Sequence, residues 1–499
     1  MTGRDLMGAA ASDRRLSDTL LAHLPAEVEA PGYDRSEVAP GIVHLGLGAF
    51  HRAHQAAFVD DCLNAGDSGW GIVGASLRSA DTRNALAPQN GLYTLSVVDG
   101  SGERLRVIGS ILTTLVAPEN PEALLDGLCD PRIRIVTLTV TEKAYLRNAA
   151  GMLDEHHPEI VWDLANPDRP KSLFGFLAEA ITRRRSAGTA PFTILSCDNL
   201  PANGATLRRL LTAFAGMRDS ELGRFVGEVI AFPSSMVDRI VPATTDADRD
   251  RISARLGVSD AWPVTTEPFR QWVIEDHFPS GRPAWERFGV EMVKDVAPFE
   301  DMKLRLLNGS HSAIAYLGLL SGHETVAAAF GDPAIRSFVT TLWREAIPTL
   351  PTDAGLRPEA YTQELAKRFD NPALKHRTAQ IANDGSQKLP QRIIATALDR
   401  LRAGGGVDHL MLAPAAWIAA CEARGHSLPA GHFTDPLDPA LDTIFAKSGS
   451  AAETVAEAFA AAGFAAGSEH LEALKRTAAR HLETLRRSGP AAALKELSS

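Results

Sequence analysis

The sequence predicts an α/β domain followed by an all-α domain, and three observations carry that expectation. Between residues 41 and 294, short apolar runs rich in β-branched residues alternate with helix-like segments, the pattern of a parallel sheet covered by helices. From Glu300 onward the apolar spacing is almost wholly helical. The composition shifts near residue 295, which sets expected domains of 1–294 and 295–499. A chain of 499 residues has room for both.

The totals exclude several classes. Hydrophobic residues make up 45% and charged residues 22%, as in water-soluble globular proteins. A net charge of −10 argues against a nucleic-acid partner. No apolar run approaches the roughly 20 residues of a membrane span, and Met1 to Ser12 lack a signal-peptide core. Cys62, Cys129, Cys197 and Cys421 lie far apart and form no CxxC pair, so neither a disulfide framework nor a metal site is expected. A reducing cytoplasm fits, with a monomer or small homo-oligomer as the expected assembly.

Taken in order, Leu16 to Leu24 is a short amphipathic piece, and Ile42 to Leu45 read as a buried strand. Gly46 and Gly48 then allow a tight turn, and a helix is expected from Ala53 to Ala65. Strand, glycine turn and helix are how a dinucleotide pyrophosphate is held, although His51 stands where a third glycine is usual. A second strand spans Trp70 to Leu77; beyond it Asp81 reads either as a ribose-binding acid or as a helix N-cap. Leu92–Val98, Leu105–Ile108 and Ile133–Thr139 are further strands, the last ending in the polar stretch Thr139 to Lys143. A helix from Ser172 to Ser186 carries Arg183 to Arg185, read as solvated surface. The strand at Phe192 ends in Cys197-Asp198-Asn199, where Asn199 is a turn residue or a site amide. Phe225 to Phe232 reads as a strand; Asp238-Arg239 is an ion pair or part of a site; residues 263–299 form a mixed connection. The expected helices that follow are 301–321, 332–347, 357–368, 390–403, 408–424, 451–462 and 468–486.

The chemistry concentrates in Glu300-Asp301-Met302-Lys303-Leu304-Arg305-Leu306-Leu307-Asn308-Gly309-Ser310-His311. At about 100° per residue, with Lys303 at zero, Glu300 falls near about +60°, His311 near about +80° and Asn308 near about +140°. Leu304, Leu306, Leu307, Ile314 and Leu317 surround that row. It is either a buried polar site or a solvated face.

Four stretches, Gly41 to His54, Ser196 to Pro201, Phe232 to Pro242 and Glu300 to His311, together resemble the polyol-specific long-chain dehydrogenases of the mannitol dehydrogenase family. The resemblance runs from about Tyr33 to beyond Trp417. It implies an expanded Rossmann-type N-terminal domain, a helical C-terminal domain, and metal-independent hydride transfer between NAD(H) and a small sugar acid or polyol. Position by position it implies Lys303 as the general acid/base, and Asn199 and Asn308 as the amides on the reacting oxygen. It also implies His311 and Asp238 as substrate contacts and Glu300 near a proton path. Gly46, Gly48, Phe50, Arg52 and Asp81 are implied at the cofactor; the acid that often precedes the last is Ala80 here. Such a lysine needs a pKa lowered to roughly 7–8.

Within the family, His376-Arg377-Thr378-Ala379-Gln380-Ile381 and Gly385 to Arg392 resemble the fructuronate reductases, also called D-mannonate oxidoreductases. So do Glu267 to Asp276 and Thr139 to Lys143. Mannitol 2-dehydrogenases carry an arginine where Gln380 stands. Lys388 matches a substrate-contacting lysine, and Arg377 with Lys388 is suited to clamp a carboxylate, unless Arg377 pairs with a structural acid. A neutral polyol such as mannitol, arabinitol or sorbitol, and a non-catalytic cofactor-binding sensor, are the alternatives.

Overall fold

The computed structural model describes residues 14–148, 150–352, 354–424, 428, 432–447 and 449–498; the N-terminal stretch read above for a signal peptide lies outside them. The chain forms two units, Met1–Val296 and Ala297–Ser499.

Apolar runs build the centre of the N-terminal unit. Five strands, β1 (Pro40–Leu45), β2 (Gly71–Ser76), β3 (Ile111–Val116), β4 (Ile135–Leu138) and β5 (Thr193–Ser196), pair in parallel in the order β3-β2-β1-β4-β5. This is the dinucleotide-binding order, whose direction reverses at β1. Helices cover both faces, so Val43, Leu45, Ile135, Val136 and Leu138 are fully buried. Two smaller sheets complete the unit. One joins Val28–Glu29, Gly102–Ile108, Tyr93–Asp99 and Val264–Thr266 in that order. The other joins Glu291–Val293, Gln271–Glu275 and Ser235–Asp238.

Three readings need correction here. The run Phe225 to Phe232 is not a strand. The helix Ser220–Val229 occupies most of it, capped by Asp219, whose side chain accepts from Glu221 N at 2.6 Å and Leu222 N at 3.2 Å. Leu222 and Val226 lie buried one turn apart, so the run is a helix face as far as Val229; Ile230 is extended, and Ile194 N donates to Ala231 O. The run Arg183 to Arg185 is not uniformly solvated. Arg184 is buried and donates to the carbonyls of Leu128, Asp130, Ile133 and Ala190. The helix after the glycine turn begins early, at Ala49, and breaks at His54 before continuing as Gln55–Asn64.

The C-terminal unit is helical. Its centre is the helix Gly309–Leu320, buried along its length apart from Leu320. Around it stand Pro333–Ala346, Pro358–Phe369 and Asp408–Ala423, close to the expected spans. The expected helix 390–403 is a π-helical Pro390–Ile394 followed by Ala395–Arg402, with the short helix Gly385–Leu389 running into them. Gly489, at φ +76, and Pro490 kink the last helical stretch, Leu471–Ser498. Among the described residues no helix is long and apolar enough to cross a membrane.

Candidate active site

Every strand of the main sheet points the same way, so the turns after β1, β2, β4 and β5 share its carboxyl edge, where such sheets hold ligands. The turn after β1 is set by Gly46. Its φ is +93, and a Cβ there would lie 2.2 Å from the Thr139 carbonyl oxygen, so only glycine fits. At Gly48 a Cβ would meet nothing closer than 3.8 Å. The protein does not demand that glycine, and the space over it stays open to a close-lying ligand.

Beneath the turn the His44 ring contacts Thr137 Oγ1 at 2.8 Å, Thr139 Oγ1 at 2.9 Å and Gly46 O at 3.1 Å. His51 stacks on it with ring centroids 3.3 Å apart. Burial lowers His44 to about 3 and His51 well below the ordinary histidine value, so both rings are neutral. Phe50 stacks on His54 at 5.1 Å. Arg52 is 3% exposed, its guanidinium donates to the Trp262 carbonyl, and it lies 5.2 Å from the Tyr93 ring centroid.

Asp81 is exposed at the first position of the helix Asp81–Leu86, beyond β2, and Ala80 holds the cap position without a capping hydrogen bond. Asn199 is exposed in the turn after β5. That turn is tied to the one after β4 through Asp198, which accepts from Thr141 N at 3.0 Å, Val140 N at 3.3 Å and Tyr145 Oη at 2.8 Å. Thr141 sits at φ +71, a strained state for a β-branched residue that Asp198 holds in place. Asn203 braces the same turn, donating to Asp198 O at 3.0 Å and Ser235 O at 2.7 Å. Asp238 ends its strand buried, at 4% exposure.

In the C-terminal unit the helix Ala297–Met302 passes through a π-helical segment, Lys303–Asn308, into Gly309–Leu320. A π turn closes i→i+5 bonds, so residues five apart stand closer to one face than on an α-helix, where about 140° separates them. Lys303 and Asn308 open and close this segment. The equal α-helical steps assumed from the sequence do not hold across this segment, and the angle between Lys303 and Asn308 is smaller than that reckoning gives. The Leu306 carbonyl lies within this segment. Ser310 Oγ donates to it, and so does Trp343 Nε1 at 3.0 Å. Gly309 permits close approach to the second π segment: a Cβ there would lie 3.1 Å from Arg392 O.

Lys303 and His311 are buried, while Glu300 and Asn308 are half-buried. The His311 ring stacks on Phe369 at 5.3 Å and meets His376 edge-on at 4.8 Å. Its Nε2 is buried with no hydrogen-bond partner among the described residues. Burial first, then the neighbouring His376, Arg392, Arg368 and Lys388, holds His311 neutral. Lys388 Nζ donates to Asn383 O at 2.6 Å and lies 3.7 Å from Asp384; burial lowers its pKa. Arg377 and Gln380 are exposed.

Two family models cover most of the chain: the mannitol dehydrogenase Rossmann domain matches residues 40–287 and the mannitol dehydrogenase C-terminal domain matches 295–486. The chain belongs to the mannitol dehydrogenase family. It is similar to the uncharacterized oxidoreductase YeiQ of Escherichia coli, 46% identical over 84% of this chain and 86% of that one. The D-mannonate oxidoreductase of the same organism is 44% identical over 83% and 86%. Pseudomonas fluorescens mannitol 2-dehydrogenase, solved in a ternary complex with NAD and D-mannitol, superposes with a TM-score of 0.83 at 38% identity, over 97% of this chain and 99% of that chain.

This member of the mannitol dehydrogenase family is therefore an oxidoreductase, with its candidate residues divided between its units. The N-terminal unit brings Gly46, Gly48, Asp81 and Asn199 to turns at one sheet edge, and the C-terminal unit brings Lys303, Asn308 and His311 to one helix. Sequence reasoning missed Arg392, whose Nη1 donates to Ser312 Oγ at 3.1 Å and whose Nε is buried without a partner among the described residues. It also missed His376; both stand inside segments already singled out, and only their burial marks them. Among the described residues no group of three or more His, Cys, Asp or Glu is placed to hold a metal ion.

Proposed function

We propose that the protein interconverts a secondary alcohol and a ketone of a sugar acid or polyol with NAD(H), without a metal. Within that class, the reading supported best is fructuronate reductase, D-mannonate + NAD = D-fructuronate + NADH. The observation that carries the proposal is a buried lysine opening a π segment that an asparagine closes. The cofactor belongs to the N-terminal unit: the open space over Gly48 suits a pyrophosphate, and exposed Asp81 suits ribose hydroxyls. Bound NAD supplies the hydride acceptor. Lys303 Nζ takes the hydroxyl proton, and Glu300, half-buried three residues before it, passes it toward solvent. Asn308 and Asn199 donate to the alkoxide-like oxygen; one such donor contributes roughly 2.7–4 kcal/mol. Neutral His311 offers Nε2 to a substrate hydroxyl, and Asp238 accepts from another.

The uronate reading draws support from the likeness to D-mannonate oxidoreductase and from the cations around His311. Arg377 is exposed, so its contribution falls toward the roughly 0–1 kcal/mol of surface pairs. Lys388 and Arg392, more buried, carry more of the carboxylate's recognition. The likeness to a mannitol 2-dehydrogenase bound to D-mannitol favours a neutral substrate as the second reading.

The test is a side-by-side assay of D-fructuronate, D-tagaturonate and D-fructose with NADH, and of D-mannonate with NAD. One desolvated charged contact gives roughly 1.5–3 kcal/mol, hence roughly 10- to 100-fold preference for fructuronate over fructose. Faster turnover of fructose would remove the uronate reading and leave the neutral one.

A further inference from the structure

Three cations suited to a carboxylate, Arg377, Lys388 and Arg392, follow one another in the C-terminal unit, and their own partners tell them apart. Arg377 is exposed, where water screens it. Lys388 already has a counter-charge: Asp384 lies 3.7 Å from its Nζ, and Asp435 also acts on it. Its Nζ spends a further donor on Asn383 O. Arg392 has no such relief. Among the described residues no carboxylate lies in ion-pair range of its guanidinium. Burial pulls it down from the ordinary guanidinium value, and the group acting the other way is the Tyr316 phenol. Burial keeps that phenol neutral, and it donates to Ala382 O at 2.9 Å, so it supplies no negative charge.

The backbone sets Arg392 close to the reacting group. It belongs to the π-helical segment Pro390–Ile394, and Gly309, the residue after Asn308, would bring a Cβ within 3.1 Å of Arg392 O. The guanidinium therefore stands a side chain's length from the backbone beside Asn308. Its Nη1 donates to Ser312 Oγ at 3.1 Å; Ser312 is buried and follows His311 on the same helix. Arg392 as a whole is half-buried, but its Nε is enclosed without a partner among the described residues. An enclosed N–H without an acceptor destabilises the empty protein. With Nη1 anchored, the edge left over is Nε with Nη2, two parallel donors that match the two oxygens of a carboxylate.

We propose that Arg392 is the specificity-determining residue for the substrate's carboxylate, which it takes side-on through Nε and Nη2, with Ser312 as the positioning residue that fixes this edge. The assignment rests on the uronate reading above and narrows it to one side chain. Arg377 and Lys388 add positive field around the carboxylate but do not supply the fork.

The experiment measures kcat and KM for D-fructuronate and for D-fructose, with NADH, in the wild type, Arg392→Gln, Arg392→Lys and Ser312→Ala. The wild type should prefer fructuronate. Arg392→Gln should lower kcat/KM about 10- to 100-fold for fructuronate, chiefly through KM, and less than about threefold for fructose. Arg392→Lys keeps the charge without the planar edge and should recover only part of the loss. Ser312→Ala should raise KM for fructuronate with kcat kept, whereas a serine that only supports the fold would affect both sugars alike. If Arg392→Gln does not fold, the other two variants decide. A wild type that prefers fructose overturns the uronate reading, and this assignment with it. A wild type that prefers fructuronate, with Arg392 variants that lose equally on both sugars or on neither, overturns the assignment alone. Full recovery in Arg392→Lys overturns the side-on fork.

Discussion

Both units leave regular backbone geometry where their candidate residues sit, and they do so by opposite means. In the glycine turn a single residue tolerates what the backbone requires: Gly46 at φ +93, its α-carbon against Thr139 O. In the π segment no residue is conformationally special. Lys-Leu-Arg-Leu-Leu-Asn are ordinary helix residues, and the misfit is held by donors on other turns and another helix, Ser310 and Trp343. One distortion is encoded locally, and the other is imposed by packing. Local encoding makes the turn sensitive to one side chain, whereas imposed geometry makes the segment sensitive to its surroundings.

The largest expected effect falls on the packed region. Lys303→Ala should lower kcat/KM by about 10²- to 10⁴-fold, the range for a general acid/base. NADH binding, followed by fluorescence titration, should remain, since the cofactor is assigned to the other unit. Near-normal turnover would take Lys303 out of the mechanism.

Acid should come next. His44, under the glycine turn, and His54 have folded values of about 3, and His376 about 4, all below an unfolded value near 6.5. From about pH 6.5 down to those values the unfolded chain binds protons that the folded units refuse. The histidine contribution is therefore whole above about pH 6.5 and falls with pH. Each such histidine should cost about 1.4 kcal/mol per pH unit. The loss should end near pH 4 for His376 and near pH 3 for His44 and His54. Urea midpoints between pH 7 and 5 measure it; a flat profile would mean that the imidazoles are charged when folded.

The smallest effect separates the two glycines. Gly46→Ala should destabilise by at least the roughly 1–2 kcal/mol of a left-handed L-residue, with the carbonyl clash added. Gly48→Ala should leave the melting temperature nearly unchanged and raise the KM for NADH. Equal melting losses would show that both glycines serve the fold alone.

The same contrast explains what could be read from the sequence. The parallel sheet, the glycine turn and most helices of the C-terminal unit follow from apolar period and punctuation. The π segment does not, because nothing in residues 303–308 marks it and Trp343 lies 37 residues away from Leu306. The helix Ser220–Val229 reads partly as a strand because the apolar run from Phe225 to Phe232 is too short to fix its period, and Asp219 decides only once its cap forms. The burial of Arg52 beside the Tyr93 ring and its bond to the Trp262 carbonyl depend on residues far along the chain and leave no mark in the local sequence. Lys303, Asn308 and His311 are legible as a polar row on one side of a helix; the π segment that Lys303 opens and Asn308 closes is not.

The Leu306 carbonyl, with Ser310 and the Trp343 indole both bonded to it, acts like a pinned dislocation in a crystal. An extra residue in a helix can in principle glide along it, each step handing the misfit to the next turn. Here a glide of one residue would strand the buried indole N–H and bring helix bulk against Gly309, where Arg392 O leaves only 3.1 Å. The slack is therefore held at one address in the helix. In amide hydrogen exchange, residues 303–308 should open only when the surrounding helices do, and not as a local defect that wanders.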